Sequence, residues 1–192
     1  PAAMQRALRM TLEAAGRAGR ITDGLLDFAR PGQKTGDRRD LAEIVADFAR
    51  RVAGRLEQRD IELRWDLRPI PPRPVPVEAM EQVLENLVAN AEEAMPSGGT
   101  LEMELRAEPD GSPVLTLADT GAGMDPAVLE HVFEPFFTTK GLHAGGESEN
   151  PGLGLSVVHG LLLEMGARID VRSTAGAGTT VTIRWPGAAA TD

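Results

Sequence analysis

The sequence predicts an α+β protein: a two-layer α/β sandwich whose mixed sheet carries helices on one face, preceded by a long helix. Three observations predict it. Segments with apolar residues at alternate positions come in adjacent pairs, 100–107 with 114–118 and 168–173 with 179–185, which suits antiparallel neighbours. Segments with apolar residues three and four apart, at 41–58, 77–95 and 154–165, interleave with those pairs. After the first helix the order is αβαββ…αββ, so strands and helices are mixed along the chain and the helices fall on one side of the sheet.

The first helix is expected over 4–29, where Met4, Leu8, Leu12, Ala15, Ala18, Ile21, Leu25 and Phe28 recur at helical spacing. Gly16, Gly19 and Gly24 each weaken it by ~1 kcal/mol against alanine, so it requires packing partners. Pro31-Gly32 ends it, and residues 31–40 read as a polar linker whose last residue, Asp40, N-caps the helix over 41–58. Ile61, Leu63, Trp65 and Leu67 share one face of a strand over 60–67. Residues 69–76 are proline-rich and read as a connector. The helix over 77–95 stops at Pro96-Ser97-Gly98-Gly99, and a turn at Pro109-Asp110-Gly111 joins the next two strands. A glycine-bearing loop covers 119–124, and Asp125-Pro126 is an N-cap followed by proline at the first helical position. Residues 138–151 hold three glycines, Ser148 and Pro151 without periodicity and read as a mobile loop. Gly166 closes the helix over 154–165, and a turn at Gly176 and Gly178 links the last two strands. The domain boundaries expected are a helix at 1–30, a linker at 31–39, a core domain at 40–187 and a tail at 188–192.

Composition narrows the function. Hydrophobic residues make up 42% of the 192, enough for a packed core, and there is no cysteine for disulfides or thiolate metal sites. A reducing cytoplasm fits, and no stretch approaches the ~18 to 20 apolar residues of a membrane span. The chain begins at Pro1 without a methionine, which suggests a fragment and leaves membrane anchoring of the parent open. Net charge is −9. Residues 1–76 hold 15 basic and 11 acidic side chains, whereas residues 77–192 hold 5 and 18. The acidic part argues against nucleic acid. A polyanion also gains nothing there from the long-range field, so a phosphate site must use local N–H donors and a bound cation.

Four segments carry chemistry. On the helix over 77–95, Asn86 and Asn90 stand four apart and share a face; an amide oxygen is a neutral hard ligand suited to Mg²⁺ when phosphates complete its shell. Asp119-Thr120-Gly121-Ala122-Gly123 follows a strand, so a carboxylate can accept from an exocyclic amine while glycines let backbone pass close to a flat ring. The run "FEPFFTTK" holds three of the five phenylalanines and ends in Lys140, a point charge able to reach phosphate oxygens. Gly152-Leu153-Gly154-Leu155 opens a helix, whose N–H groups and dipole form an anion site. Each segment alone also reads blandly, as local capping, an ordinary turn, an apolar anchor or a glycine-bearing helix start.

In this order the four segments resemble the GHKL ATPase superfamily, and within it sensor histidine kinases of the nitrogen-regulation type. Residues 81–94 look like the N box, Asp119 to Gly123 like the first glycine box, "FEPFFTTK" like the F box and "GLGLSVVHGLL" like the second glycine box. "STAGAGTTVTIRWP" resembles the family's closing hairpin, and "RAGRITDGLLDFAR" the second helix of its dimerisation and phosphoacceptor hairpin. The resemblance implies a Bergerat-type ATP-binding fold. It implies that Asn90 binds Mg²⁺, with Asn86 one turn earlier, and that Asp119 reads adenine beside Gly121 and Gly123. It places Thr139, Lys140 and the run Gly152, Leu153, Gly154, Leu155 near the phosphates, and gives Thr179 a supporting role for Asp119. The implied reaction moves the ATP γ-phosphoryl group to a histidine on an acceptor helix of the same or a partner protomer, for relay to a response regulator receiver domain, in a homodimeric parent.

The sequence departs from the family pattern twice. His131, His143 and His159 are the chain's histidines, and none stands in an acceptor-helix context. Asn150-Pro151-Gly152 replaces the usual Gly-Thr-Gly, and proline removes an N–H. Two other readings stay open: an ATP hydrolase or clamp, and a nucleotide-binding scaffold without transfer. The hydrolase branches usually carry a glutamate where Asn86 stands, and an amide cannot take a proton.

Overall fold

The computed structural model describes residues 37–137 and 152–187. The helix expected over 4–29, most of the linker, the loop over 138–151 and the tail lie outside them. The elements run β1 (Arg38–Asp40), α1 (Leu41–Glu57), β2 (Ile61–Leu67), β3 (Pro74–Pro76), α2 (Val77–Ala94), β4 (Gly99–Ala107), β5 (Pro113–Asp119), α3 (Pro126–Leu129), α4 (Gly154–Glu164), β6 (Arg168–Thr174) and β7 (Gly178–Arg184). β2, β4, β5, β7 and β6 form one sheet in that order, with β2 parallel to β4 and every other pair antiparallel.

The strict alternation of the strands divides the sheet into two unlike faces. Ile61, Leu101, Met103, Leu105, Leu115, Leu117, Val181 and Ile183 point to one face and are buried. The intervening positions carry Glu62, Arg64, Glu102, Glu104 and Arg106, which pair with one another in water. Helices α1, α2 and α4 therefore cover only the apolar face. α1 buries the stripe Leu41, Ile44, Val45, Phe48, Val52 and Leu56. α2 buries Met80, Val83, Leu84, Leu87, Val88 and Ala91. Val158 and Leu162 of α4 complete the layer. No helix among the described residues is long and apolar enough to cross a membrane.

Two segments differ from the sequence expectation. The end of the linker and the end of the proline-rich connector pair as antiparallel strands, Arg38 opposite Pro76 and Asp40 opposite Pro74. Neither has an apolar alternation, and prolines stand where strands are rarely read. The pairing is made by main chain, by the Arg38 guanidinium donating to Pro74 C=O at 2.7 Å, and by one carboxylate. Asp40 Oδ1 accepts from Ala42 N–H at 2.9 Å and Oδ2 from Arg73 N–H at 2.9 Å. The N-cap foreseen for α1 thus also holds β3. Leu41 N–H donates to Arg73 C=O and Val77 N–H to Asp37 C=O, so the first turns of α1 and α2 share one anchor.

Asp40→Ala is expected to lower unfolding free energy by about 1–2 kcal/mol, since a lost N-cap is worth that much and a second buried N–H loses its acceptor. Asp40→Asn should retain most of it. Urea unfolding of both variants checks this, and a parent-like midpoint for Asp40→Ala would discard the double-anchor account.

Candidate functional site

The sheet's covered face turns polar at one end. Across the strands, Leu63 pairs with Leu101, Leu101 with Asp119, Asp119 with Thr179 and Thr179 with Ser173. Paired residues share a face, so the row runs from core leucines into a carboxylate and two hydroxyls on the same side as the helices. Asp119 is the last residue of β5. Its Oδ1 accepts from Gly121 N–H at 2.9 Å and from Thr179 N–H at 3.2 Å. Both bonds fall on one oxygen, and Oδ2 makes no hydrogen bond among the described residues. Burial pushes the carboxyl above its ordinary range, and the two backbone donors pull it back only in part. Thr179 thus meets Asp119 through its main-chain N–H and not its hydroxyl. Its hydroxyl lies 3.0 Å from that of Ser173.

The 119–124 loop lies against the end of α2. Ala122 N–H donates to Ala94 C=O at 3.0 Å. A Cβ at Gly121 would stand 2.6 Å from the Ala94 methyl, so only glycine fits this contact. At Gly178 a Cβ would stand 1.9 Å from Asp119 C=O, which is why β7 can close on β5 there.

Asn90 lies one turn before Ala94, ~6 Å along the axis, and Asn86 one turn before that. The Asn86 Nδ2 donates to Gln82 C=O at 2.8 Å, which aims its Oδ1 away from its own helix. Gly154 sits over the pair: a Cβ there would be 3.2 Å from Asn86 Oδ1 and 4.0 Å from Asn90 Nδ2. Asn90 has no hydrogen-bond partner among the described residues. α4 begins at this point, and no side chain among the described residues caps it, so its first N–H groups have no intrahelical partner and suit an anion. Leu153 is buried at 5% exposure and Leu155 packs on the core, so of these two residues the main chain is the part open to a ligand. The two expected ends, Asp119 with Gly121 and Asn86 and Asn90 with Gly154, are thus joined by α2. Thr139, Lys140 and His143 lie outside the described residues.

The segment before 138 and the segment after 151 meet. Phe136, at φ +66°, donates its N–H to Gly152 C=O at 3.1 Å. Phe133 stacks on His159 and Phe137 on His131, while Phe136 is 55% exposed. The expected apolar anchor is thus made by two of the three phenylalanines. His131 is exposed and bonded to Glu134 at 2.8 Å, and both histidines have local packing roles.

Three carboxylates of α2 reach toward α1, and two of them, Glu81 and Glu85, line an open pocket with Arg51 and Asn86. Arg55 of α1 bonds Glu85 and, at 3.0 Å, Glu92, which is 8% exposed; Arg51 bonds Glu81 at 2.9 Å. Glu85, next to Asn86 in sequence, is therefore turned toward α1. Among the described residues no cluster of three acidic or histidine side chains could hold a metal. The only oxygens offered to a cation by Asn86 and Asn90 are amide oxygens, which fit one only when phosphates supply the remaining ligands, while the N–H groups at the start of α4 suit the phosphates themselves.

Two site residues were missed by sequence reasoning. Ser173 and Ala94 act through a hydroxyl and a carbonyl that no spacing singles out. The register pairing of Ser173 with Thr179 is the signal that finds the first.

Because the folded carboxyl of Asp119 is raised, its contribution to stability is present below the ordinary carboxylate range and is lost as pH rises through the raised value. Asp119→Asn keeps an acceptor for Gly121 and Thr179. The free variant is therefore expected to melt no lower than the parent at neutral pH, with its relative advantage vanishing on acidification. Melting curves across this range check the sign.

Residues 76–189 match the family described as histidine kinase-, DNA gyrase B-, and HSP90-like ATPase. The chain is similar to the sensor kinase CckA of Brucella abortus, 36% identical over 187 residues, which is 90% of this chain and 19% of that protein. It is also similar to the sensor histidine kinase ZraS of Salmonella typhimurium, 32% identical over 176 residues, 90% of this chain and 36% of that one. The chain thus spans well under half the length of either relative. Full-length ShkA in complex with AMPPNP shares the fold with a TM-score of 0.75 and 24% identity, over 95% of this chain and 39% of that one. The mycobacterial sensor histidine kinase MprB does so at 0.65 and 25%, over 80% and 98%. The chain therefore belongs to the family of histidine kinase-, DNA gyrase B- and HSP90-like ATPases, and within it is an ATP-binding catalytic domain of the sensor-kinase kind.

Proposed function

We propose that this domain binds Mg-ATP and transfers the γ-phosphoryl group to a histidine on an acceptor helix outside the described residues, as part of a cytoplasmic, dimeric sensor kinase. Residues 1–30 would supply the second helix of that hairpin, with 31–39 as linker. The observation that carries the reading is the shared scaffold of α2. One helix joins a half-buried carboxylate with one free oxygen to an uncapped helix start facing two carboxamides, which matches a nucleotide with a base at one end and phosphates at the other.

Each residue has a task in this reading. Asp119 accepts from the exocyclic amine of adenine, and Gly121 and Gly123 let the loop lie close to the ring. The N–H groups after Gly152 and Leu153, at Gly154 and Leu155, meet phosphate oxygens. Thr139 and Lys140 add a hydroxyl and a point charge there. Asn90, with Asn86 beside it, would hold Mg²⁺ through amide oxygen; the ion supplies charge neutralisation to the phosphates. Transfer breaks the bond between the γ-phosphorus and its bridging oxygen and forms a phosphorus–nitrogen bond to imidazole, releasing ADP. The phosphoryl group then passes to an aspartate of a response regulator.

One observation bears on the hydrolase alternative. A hydrolase requires a group that takes a proton from water. Asn86 is an amide, and Glu85 is committed to Arg55. The arrangement favours transfer to an acceptor over attack by water.

Titration calorimetry of Mg-ATP into the chain should give clear binding that collapses in Asp119→Asn. With the complete hairpin supplied, Asn90→Ala should lower phosphotransfer by at least about tenfold, the scale for a group that orients a catalytic metal. Unchanged transfer would remove the metal assignment. Steady ATP turnover without an acceptor would favour the hydrolase, and binding without transfer would favour a scaffold.

A further inference from the structure

The β6–β7 hairpin grips the 119–124 loop from the side opposite α2, and it does so at three points. Thr179 N–H donates to Asp119 Oδ1 at 3.2 Å, Gly176 N–H donates to Ala122 C=O at 2.6 Å, and Met124 N–H donates to Ser173 Oγ at 2.8 Å. Gly123 permits the approach: its φ is +64°, and a Cβ there would stand 2.0 Å from Thr174 C=O. All three donors are main-chain N–H groups. The hairpin itself contributes a side chain only in the third, through Ser173 Oγ.

Ser173 Oγ has three partners: Met124 N–H, Gly178 C=O at 2.9 Å and Thr179 Oγ1 at 3.0 Å. A serine hydroxyl has one proton and two lone pairs. The proton goes to Gly178 C=O, which can only accept. One lone pair receives Met124 N–H, and the other receives the Thr179 hydroxyl. The group is then saturated and has nothing to offer a ligand, so it acts on the loop and not on the nucleotide.

We infer that Ser173 is a positioning residue for nucleotide affinity, fixing the far end of the 119–124 loop through Met124 and the Asp119 side of β7 through Thr179. The inference rests on the reading of Asp119 as the base-recognising group. Because the grip lies at the base end, it governs adenosine recognition and leaves the phosphate end alone.

The test is titration calorimetry on the 192-residue chain, with Mg-ATP and with ADP free of Mg²⁺. Ser173→Ala should weaken both ligands by the same factor, about fivefold to tenfold for one hydrogen bond of ordinary net strength, with the dependence of affinity on Mg²⁺ unchanged. Ser173→Thr, which keeps the hydroxyl, should restore both. Parent-like affinity in Ser173→Ala overturns the inference and leaves the Asp119 reading standing. A loss for Mg-ATP alone, or a loss that threonine does not restore and that accompanies a lower melting temperature, also overturns it, since each marks an effect at the phosphates or on packing. Absence of nucleotide binding by the parent overturns the inference together with the reading beneath it, and Asp119→Asn, measured alongside, tells the two failures apart.

Discussion

The candidate site turns on one oxygen atom. Asp119 Oδ1 receives an N–H from two residues on either side, Thr179 in the neighbouring strand and Gly121 in the loop that follows. The first bond joins β5 to β7 at the end of the sheet, where the ladder would otherwise run out. The second folds the chain back as it leaves the strand and directs it toward Ala94. The bonds of Ala122 to Ala94 and Gly176, and of Met124 to Ser173, then hold the loop on that course. A partly buried carboxylate costs free energy unless bonded, and here the bonds also set the direction of the chain.

The surroundings explain why neutral groups carry the other end. Residues 77–192 are strongly acidic, yet α2 turns Glu81, Glu85 and Glu92 toward Arg51 and Arg55 of α1. Two things follow. The pairs add to the buried stripe of Met80, Val83, Leu84, Leu87 and Val88, which sets the rotation of α2 and so where Asn86 and Asn90 point. They also offset the charge of Glu81 and Glu85, which line an open pocket together with Asn86. A salt bridge exposed to water contributes little to stability on its own, so the value of these pairs lies in orientation. Glu92, nearly buried, is the one member for which an unpaired state would be costly.

Most of the fold was legible in the sequence because its strands face water on one side only. Alternation in β4, β5 and β7 and the three-four spacing in α1 and α2 were enough to set elements and their faces. Asn86, Asn90, Asp119, Gly121 and Gly154 were legible as types of chemistry, and their order along the chain gave the family. What could not be read were interactions carried by main chain. The β1–β3 ladder has prolines and charges where a strand pattern is sought. The help Thr179 gives Asp119 comes from its N–H, which every residue but proline has. Ser173 is an ordinary serine near a turn until the register sets it opposite Thr179. The turn of Glu85 toward Arg55 needed a helix–helix contact between residues thirty apart.

The two-stranded ladder at the entry to the domain has a mechanical meaning. Chain arriving at Asp37 is tied at once to the starts of α1 and α2, by Asp40 and by the bonds of Leu41 and Val77. A twist or pull delivered there is shared between two rods before it reaches the sheet. One of those rods carries both asparagines and ends at the aspartate loop. The doorway of the domain is therefore joined to the aspartate loop by hydrogen-bonded main chain and a single helix, with no flexible connector between them.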